Sequence, residues 1–269
     1  MNRIDQRFRS LRAARQKGFV AYVCAGDPNL RATASLARAL ERAGVDVLEL
    51  GVPFSDPLAD GVVNQLAAER ALRSGTTLPR VMKMVAGLRR CGCEVPIVFY
   101  VYFNLLHHYG LKRFVRDAAN AGVDGVLALD LPPEEGGECE ALMKRAGLAP
   151  IYLVAPTTPA ERIQKIARHA SGFVYYVSRE GVTGMQKSVA PTAASHIASI
   201  RKFTKLPVAI GFGISTPAQA QAAARFADAV VVGSAIVNQI SKRGSNRDLV
   251  GNASRFVGAM VRAVKRVKA

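Results

Sequence analysis

The sequence predicts one domain with the architecture of a (β/α)₈ TIM barrel and an extra helix at its N-terminus. The chain has 269 residues, 49% of them hydrophobic, which is enough for one large core. Short β-branched apolar runs alternate with stretches of helical periodicity, as in strands joined by crossover helices around a parallel sheet. Because no linker or change of composition interrupts this alternation, we expect residues 1–269 to form a single α/β barrel rather than an open, doubly wound sheet.

Eight strands and the helices that follow them are predicted in chain order. Each strand is a short apolar run, and apolar residues recur at helical spacing in the segment after it. The predicted strands are residues 19–23, 47–51, 97–101, 125–129, 151–154, 173–177, 208–211 and 229–232. The predicted helices are residues 31–42, 62–73, 79–90, 111–121, 134–146, 160–170, 193–203 and 217–226, with an additional leading helix at 2–15 and a closing helix at 248–268.

The chain is strongly basic, with a formal net charge of +17. Residues 1–17 hold six basic residues against one acidic residue, and residues 241–269 hold eight against one, so the two ends supply 12 of the 17 charges. We expect both ends to be amphipathic outer helices whose basic faces are solvated. Nucleic-acid binding is the less favoured alternative, because no aromatic or recognition motif accompanies the charge.

Composition also predicts a cytoplasmic chain without a metal site. No apolar run approaches the roughly 18 to 20 residues of a membrane helix, and residues 1–17 lack the apolar centre of a secretory signal. The four histidines are a poor metal set, and His107 and His108 are expected in a loop. Four cysteines without zinc-site spacing are expected as reduced thiols, and they are Cys24, Cys91, Cys93 and Cys139.

Two carboxylates flank the end of the second predicted strand, with Glu49 inside it and Asp60 in the loop that follows. Because strand side chains alternate between faces, Glu49 points away from Leu48 and Leu50. If the leucines pack beneath helices, Glu49 faces the barrel interior, where desolvation raises its pKa toward neutrality and suits it to general acid/base chemistry. A structural glutamate held in a salt bridge is the alternative that the sequence leaves open.

Glycine-rich loops follow the last three predicted strands, at the end of the barrel where such enzymes place their active sites. Residues 178–184 (SREGVTG) suit a mobile lid that covers a substrate. Gly213 and Gly233 suit a phosphate site, because glycines admit an anion close to backbone N–H groups and a short helix is expected to begin at Ser234. No lysine lies in a predicted strand, so a Schiff-base mechanism has no candidate nucleophile, and the chemistry is left to carboxylates, backbone dipoles and a tyrosine such as Tyr175.

Several segments together resemble the tryptophan synthase α subunit family, and the resemblance runs essentially end to end. The most specific is LELGVPFSDPLADG at 48–61, and the others lie at 26–28, 178–184, 211–215 and 233–237. The resemblance implies a retro-aldol cleavage of indole-3-glycerol phosphate to indole and glyceraldehyde 3-phosphate, a carbon–carbon lyase reaction of tryptophan biosynthesis. It also implies that the chain has no cofactor of its own and joins a pyridoxal-phosphate-bearing β subunit in an α₂β₂ heterotetramer, to which indole passes through a tunnel.

The resemblance further implies roles for individual residues. Glu49 would be the acid/base that takes the proton of the glycerol hydroxyl and serves protonation at ring carbon C3, and Asp60 would accept a hydrogen bond from the indole N–H. Tyr175 would lie beside the acid/base residue. The substrate contacts would come from Tyr22, Tyr100, Thr183, Gly184, Phe212, Gly213, Gly233 and Ser234. The contact with the β subunit would come from Pro53, Asp56 and Pro57.

Four positions depart from the pattern of that family, and they are Tyr22, Val62, Leu105 and Glu180. Tyr22 stands where the family commonly has phenylalanine, which keeps the ring and adds a hydroxyl. Val62 replaces a proline that is common after the Asp-Gly pair, so we expect the loop that carries Asp60 to be less rigid before a partner docks.

Three other functions stay open on the sequence. One is a free-standing indole-3-glycerol phosphate lyase that works without a β subunit, and another is a catalytically idle barrel that only activates the β subunit. Retention of Glu49 and Asp60 speaks against the idle barrel. The third, nucleic-acid association through the basic ends, has the net charge as its only support.

Overall fold

The computed structural model describes residues 2–178, 191–211, 213–242 and 248–268. Within them all strands are parallel, and they are β1 Gly18–Cys24, β2 Val47–Gly51, β3 Ile97–Val101, β4 Gly125–Ala128, β5 Ala149–Pro150, β6 Tyr152–Val154, β7 Val174–Val177, β8 Val208–Gly211 and β9 Ala229–Val232. They form one sheet in the order β5-β4-β3-β2-β1-β9-β8-β7-β6. Each predicted strand is present within about two residues of its expected bounds.

The sheet closes on itself through the segment that was predicted as a single fifth strand. β5 pairs with β4 and β6 pairs with β7, so these two short strands stand at opposite ends of the sheet order. Only Ile151 separates them, and its N–H donates to the carbonyl of Val126 at 2.9 Å. The chain therefore passes from one end of the sheet to the other within one residue, and the predicted barrel is confirmed.

Helices alternate with the strands, as expected. Within the described residues they are α1 Arg3–Ala13, α2 Leu30–Arg42, α3 Val62–Arg73, α4 Leu78–Arg90, α5 Phe103–Tyr109, α6 Leu111–Ala121, α7 Gly137–Arg145, α8 Ala160–His169, α9 Pro191–Arg201, α10 Pro217–Ala224, α11 Ser234–Ser241 and α12 Leu249–Lys265. The short helix expected at Ser234 is present as α11.

Two local predictions are wrong. His107 and His108 lie in helix α5 and not in a loop, because the seven residues of this helix are too few to show a periodicity in the sequence. The helix predicted to begin at residue 134 begins at Gly137, since the chain first makes a turn in which the N–H groups of Glu135 and Gly136 both donate to the carbonyl of Pro132.

The barrel has an inner core that α1 closes at the N-terminal ends of the strands. The Phe8 ring of α1 lies 5.8 Å from the ring of Phe173, just before β7. Ile4 packs in the same cluster beside Gly125, the first residue of β4. Inward side chains of the strands complete this cluster, including Val20, Val47, Val98, Leu127, Ala209 and Val231. Helix α1 therefore covers the N-terminal end of the barrel, opposite the end where the active site is expected.

The outer core lies between the strands and the helices. Leu48 and Leu50 of β2 belong to it and are fully buried. Val47 belongs to the inner core, so the side chains of β2 alternate between the two faces of the sheet as predicted. Glu49 therefore points into the barrel.

Part of the basic charge of the chain ends serves ion pairs within the fold. Lys265 of α12 donates to Asp46 at 2.7 Å, and Arg3 of α1 pairs with Asp124 at 3.1 Å. Among the described residues, no helix is both long and apolar enough to cross a membrane. The same part of the chain has no cluster of three metal-ligating side chains, and its cysteines are all free thiols.

Candidate active site

A cavity of about 400 Å³ opens at the carboxyl ends of the strands. The predicted catalytic and substrate-binding residues that the structure describes all line it, and they are Tyr22, Glu49, Asp60, Tyr100, Tyr175, Gly213, Gly233 and Ser234. Thr183, Gly184 and Phe212 lie outside the described residues. Residues from six strands and from the segments that follow β2, β4, β8 and β9 therefore converge on one space, as the barrel topology requires.

Glu49 is a buried carboxyl without a compensating charge. Its side chain is 1% exposed, and its Oε1 atom has no hydrogen-bond partner among the described residues. Burial raises its pKa from 4.5 to about 8, because the charged form loses its hydration and no ion pair with a described residue compensates for that loss. The carboxyl is therefore mostly protonated at neutral pH and poised to exchange a proton with whatever occupies the cavity.

The alternative of a structural salt bridge is not supported for Glu49. No residue in the described part of the chain forms an ion pair with it. Two buried carboxylates at the opposite end of the barrel show the contrast, since Asp46 and Asp124 each pair with a basic side chain. An unpaired carboxyl in an open cavity is instead typical of a functional group.

Asp60 lies in the loop after β2 and is less buried than Glu49. Its Oδ1 atom accepts hydrogen bonds from the Tyr100 hydroxyl at 2.9 Å and from Asn64 Nδ2 at 3.3 Å, and its Oδ2 atom accepts one from the Tyr102 hydroxyl at 3.0 Å. Burial raises the pKa of Asp60, while these three hydrogen bonds act to lower it. The carboxylate is thus held in one orientation facing the cavity.

Tyr102 and Asn64 are site residues that the sequence reasoning missed. Tyr102 directly follows β3, and its hydroxyl also accepts the N–H of Ala59, so it supports the loop as well as the carboxylate. Its position two residues after Tyr100 places both phenols on one face of the chain, a spacing that could have indicated them together. Asn64 lies in the first turn of α3, four residues after Asp60, so only its spacing from Asp60 could have indicated it.

Aromatic rings form one wall of the cavity. The rings of Tyr22 and Tyr100 meet edge to face with centroids 4.9 Å apart. The strand register aligns Tyr22 with Glu49. Tyr175 lines the same cavity as Glu49, and the charge of that carboxylate contributes to the raised pKa of the phenol. Burial, the main cause, keeps the pKa of all three phenols well above the ordinary value, so they are neutral hydrogen-bond donors.

The predicted phosphate-binding residues lie together at another part of the cavity. Gly213 has a φ of +70°, a conformation that glycine adopts without strain. Gly233 precedes the first residue of α11, Ser234, and both line the cavity. The N-terminus of α11 thus presents its free N–H groups at the edge of the site, where an anion is stabilised.

The loop predicted to contact a partner has both buried and exposed members. Pro53 is buried, while Asp56 is exposed and accepts a hydrogen bond from the Ser55 hydroxyl at 2.7 Å. Pro57 is partly exposed. The large hydrophobic side chains that are exposed on the described surface all belong to this loop and to α3, and they are Leu58, Val62, Leu66 and Leu72. Leu58 is 92% exposed, which is unusual for a leucine beside a cavity.

Comparisons with known proteins agree on one family. The family described as tryptophan synthase alpha chain matches residues 8–265. The tryptophan synthase alpha chain of Opitutus terrae is 52% identical over 267 residues, covering 99% of this chain and 100% of that protein. A crystal structure of tryptophan synthase subunit alpha from Legionella pneumophila has a TM-score of 0.92 at 39% identity and covers 99% of this chain and 100% of that chain. A chain from the a2b2 complex of Pyrococcus furiosus has a TM-score of 0.85 at 33% identity, covering 91% of this chain and 98% of that one.

Proposed function

The chain belongs to the tryptophan synthase alpha chain family and is a carbon–carbon lyase, and we propose that Glu49 and Asp60 carry its reaction. The reaction cleaves indole-3-glycerol phosphate into indole and glyceraldehyde 3-phosphate. One observation supports the assignment above the others: Glu49 is a buried carboxyl without an ionic partner among the described residues, and it lines the same cavity as Asp60.

Glu49 acts first as an acid and then as a base. With a pKa of about 8 it is largely protonated at neutral pH, and it donates this proton to C3 of the indole ring. The carboxylate that results takes the proton of the glycerol hydroxyl on the carbon attached to C3. As the bond between these two carbons breaks, its electron pair returns to the ring and the hydroxyl-bearing carbon becomes an aldehyde. Glu49 is protonated again, so protons and electrons balance over one turnover.

Asp60 stabilises the ring while C3 is protonated. Protonation at C3 places positive charge on the ring nitrogen, whose N–H then becomes a stronger donor. The carboxylate of Asp60, held by Tyr100 and Tyr102, accepts that N–H and offsets the charge as it develops. The aromatic wall formed by Tyr22 and Tyr100 is suited to the flat faces of the indole ring.

The other end of the substrate is an anion. Gly213, Gly233 and Ser234 hold its phosphate at the N-terminus of α11, away from the two carboxylates. The protonated ring itself accepts the electrons of the breaking bond, so the chemistry calls for no cofactor in this chain. Pyridoxal phosphate is assigned to the β subunit.

The partner is a tryptophan synthase β subunit in an α₂β₂ assembly. One solved relative comes from a study of mutual activation in an a2b2 complex, which supports the same arrangement here. The partner surface is proposed to consist of Asp56, Pro57, Leu58 and Val62, since these residues are exposed beside the mouth of the cavity. Burying Leu58 and Val62 would remove apolar area from water and couple the partner to the loop that carries Asp60. The single-domain boundary at 1–269 and the cytoplasmic location belong to the same proposal.

An indole-release assay tests the catalytic assignment. Purified chain is given indole-3-glycerol phosphate, with Glu49→Gln as the variant and Glu161→Gln on the exposed surface of α8 as its control. Glu49→Gln should lose cleavage by a factor of about 10³ or more while it still binds glyceraldehyde 3-phosphate, because it keeps the shape but not the transferable proton. Near-normal turnover in this variant would remove Glu49 from the mechanism.

Addition of purified β subunit separates the remaining functions. A subunit of the two-protein enzyme should be slow alone and faster in the complex. A free-standing lyase would show full activity alone with no response to the β subunit. An idle barrel would release no indole in either condition and yet change the rate of the β reaction.

A further inference from the structure

The two oxygens of Asp60 are not equivalent in the structure. Oδ1 accepts from Tyr100 on β3 at 2.9 Å and from Asn64 on α3 at 3.3 Å, whereas Oδ2 accepts only from Tyr102 at 3.0 Å. A carboxylate has about four acceptor positions, two on each oxygen. Among the described residues, Oδ1 is therefore filled and Oδ2 keeps one open position.

The groups that fill Oδ1 are themselves fixed. The Tyr100 ring packs edge to face on the buried ring of Tyr22, so its hydroxyl cannot swing away without breaking that contact. Asn64 lies in the first turn of α3, and its backbone N–H donates to the carbonyl of Gly61 at 2.9 Å. Its donor group faces Asp60, because the reverse orientation would set an amide oxygen against a carboxylate oxygen.

We propose that Tyr100 and Asn64 are positioning residues that act through Asp60, filling Oδ1 so that the open position of Oδ2 becomes the acceptor for the ring N–H of the substrate. The inference rests on the proposed function, because it assigns the oxygen that the reaction uses. Tyr100 thereby has a second role beside its place in the aromatic wall. Its hydroxyl, which a phenylalanine or an aliphatic side chain would lack, selects the orientation of the carboxylate.

The same hydrogen bonds favour the ionised form of Asp60. Loss of the Tyr100 hydroxyl should raise the pKa of this carboxyl, since burial alone already raises it and one opposing contact is removed. Among the described residues, the other titratable groups around Asp60 are Tyr22 and Cys24 on β1, Glu49 in the same cavity and Tyr102 after β3, and burial raises the pKa of each of them. They stay neutral over the acid range, so a shift of the acid limb reports Asp60.

Tyr100→Phe is the direct test, because it removes one oxygen and keeps the ring. We expect kcat to fall about tenfold with a much smaller change in KM, since the lost contact orients a group that acts on the transition state. We also expect the acid limb of kcat/KM to move to higher pH by about half a unit or more. Asn64→Leu should shift the same limb in the same direction by less, because its bond to Oδ1 is longer.

Tyr109→Phe is the matched control. Its hydroxyl donates to the carboxylate of Asp117 at 2.9 Å, the same kind of bond at the same length as that between Tyr100 and Asp60, but between α5 and α6 on the outside of the barrel. This variant should keep both the rate and the position of the acid limb. A shift of equal size in Tyr109→Phe would show that the effect of Tyr100→Phe is not specific to the site, and it would overturn the inference.

A carbon-13 NMR titration of the Asp60 carboxyl in the free chain separates this inference from the proposed function. A raised Asp60 pKa in Tyr100→Phe supports the positioning role even in the absence of turnover. If the wild-type chain releases indole while Tyr100→Phe changes neither the carboxyl titration nor kcat, the inference is overturned and the lyase function stands. If neither the wild-type chain nor its complex with the β subunit releases indole, the proposed function fails instead.

Discussion

Arg70 donates two hydrogen bonds to Asp27, from Nε to Oδ1 at 2.9 Å and from Nη2 to Oδ2 at 2.8 Å. Asp27 is buried in the turn after β1, and Arg70 lies on α3. This paired contact joins the helix that follows the Asp60 loop to the strand that carries Tyr22. The contact therefore ties α3 to the turn after β1, although neither residue lines the cavity.

Arg70→Ala is expected to destabilise the chain, because it leaves the Asp27 carboxylate buried without its partner. We expect the free energy of unfolding to fall by about 1 to 3 kcal/mol, measured by urea denaturation. Arg73→Ala, three residues further along α3, removes an exposed ion pair with Glu69 and should cost no more than about 0.5 kcal/mol. Equal losses in the two variants would show that the contact with Asp27 is not what stabilises α3.

The pH dependence of kcat/KM should follow the protonation of Glu49 in the free chain. Its pKa is raised to about 8, so the proton that the first step needs is present below that pH and is lost as the pH rises through it. We therefore expect kcat/KM to fall on the alkaline side with a midpoint near pH 8, measured by indole release at substrate concentrations well below KM. A flat profile between about pH 7 and 9.5 would contradict the assignment of Glu49 as the acid.

The stability of the chain should also depend on the ionisation of Glu49. The folded form holds a proton that the unfolded chain loses near its ordinary pKa of 4.5, so this residue destabilises the fold progressively as pH rises from 4.5 to about 8. Glu49→Gln cannot ionise and lacks this penalty. In thermal melts, the Tm of Glu49→Gln minus the Tm of the wild type should therefore be larger at pH 8.5 than at pH 4.5. An unchanged difference between the two proteins would contradict the raised pKa.

A close approach between Gly51 and Tyr22 should make the glycine hard to replace. A Cβ atom at residue 51 would lie 2.4 Å from the Tyr22 hydroxyl and 2.8 Å from two ring carbons. Because Tyr22 is buried and cannot move freely, Gly51→Ala should lower the free energy of unfolding by about 1 to 3 kcal/mol and raise KM.

Two further variants test whether that clash is the cause. In a Tyr22→Phe background the hydroxyl contact is gone, so Gly51→Ala should cost less than it does alone, as a double-mutant cycle of unfolding energies would show. Gly137→Ala meets no atom within 4 Å and should be neutral or slightly stabilising. Additive losses in the cycle would mean that the hydroxyl of Tyr22 is not the obstacle.

The exposed Leu58 gives a test of the partner surface. Leu58→Asp should leave the fold and the basal rate of the isolated chain unchanged, since the side chain is 92% exposed, but it should weaken stimulation by the β subunit at least tenfold. The measurement is the concentration of β subunit needed for half-maximal indole release. Leu72→Asp, near the C-terminal end of α3, should leave stimulation by the β subunit intact. A loss of stimulation in both variants would show that the contact with the β subunit is not specific to the loop that carries Leu58.

Local patterns predicted most elements well. The bounds of α3 and α6 agree with the prediction to the residue. In both helices, glycines flank the segment in which apolar residues recur at helical spacing, such as Gly110 and Gly122 around α6. The predicted fifth strand proved to be two strands, since a closing barrel requires the chain to change pairing partners there. No property of residues 149–154 alone signals that change.

The sequence by itself determined the barrel, the face on which Glu49 points and the glycines at the phosphate end. These features depend on alternation within a strand and on glycine conformations, which neighbouring residues decide. Only the tertiary structure decided that Glu49 is without a partner among the described residues and that Asp60 accepts from Tyr100, which lies 40 residues further along the chain. The reason is physical, because burial and hydrogen bonding between distant segments depend on how those segments pack and not on their own composition.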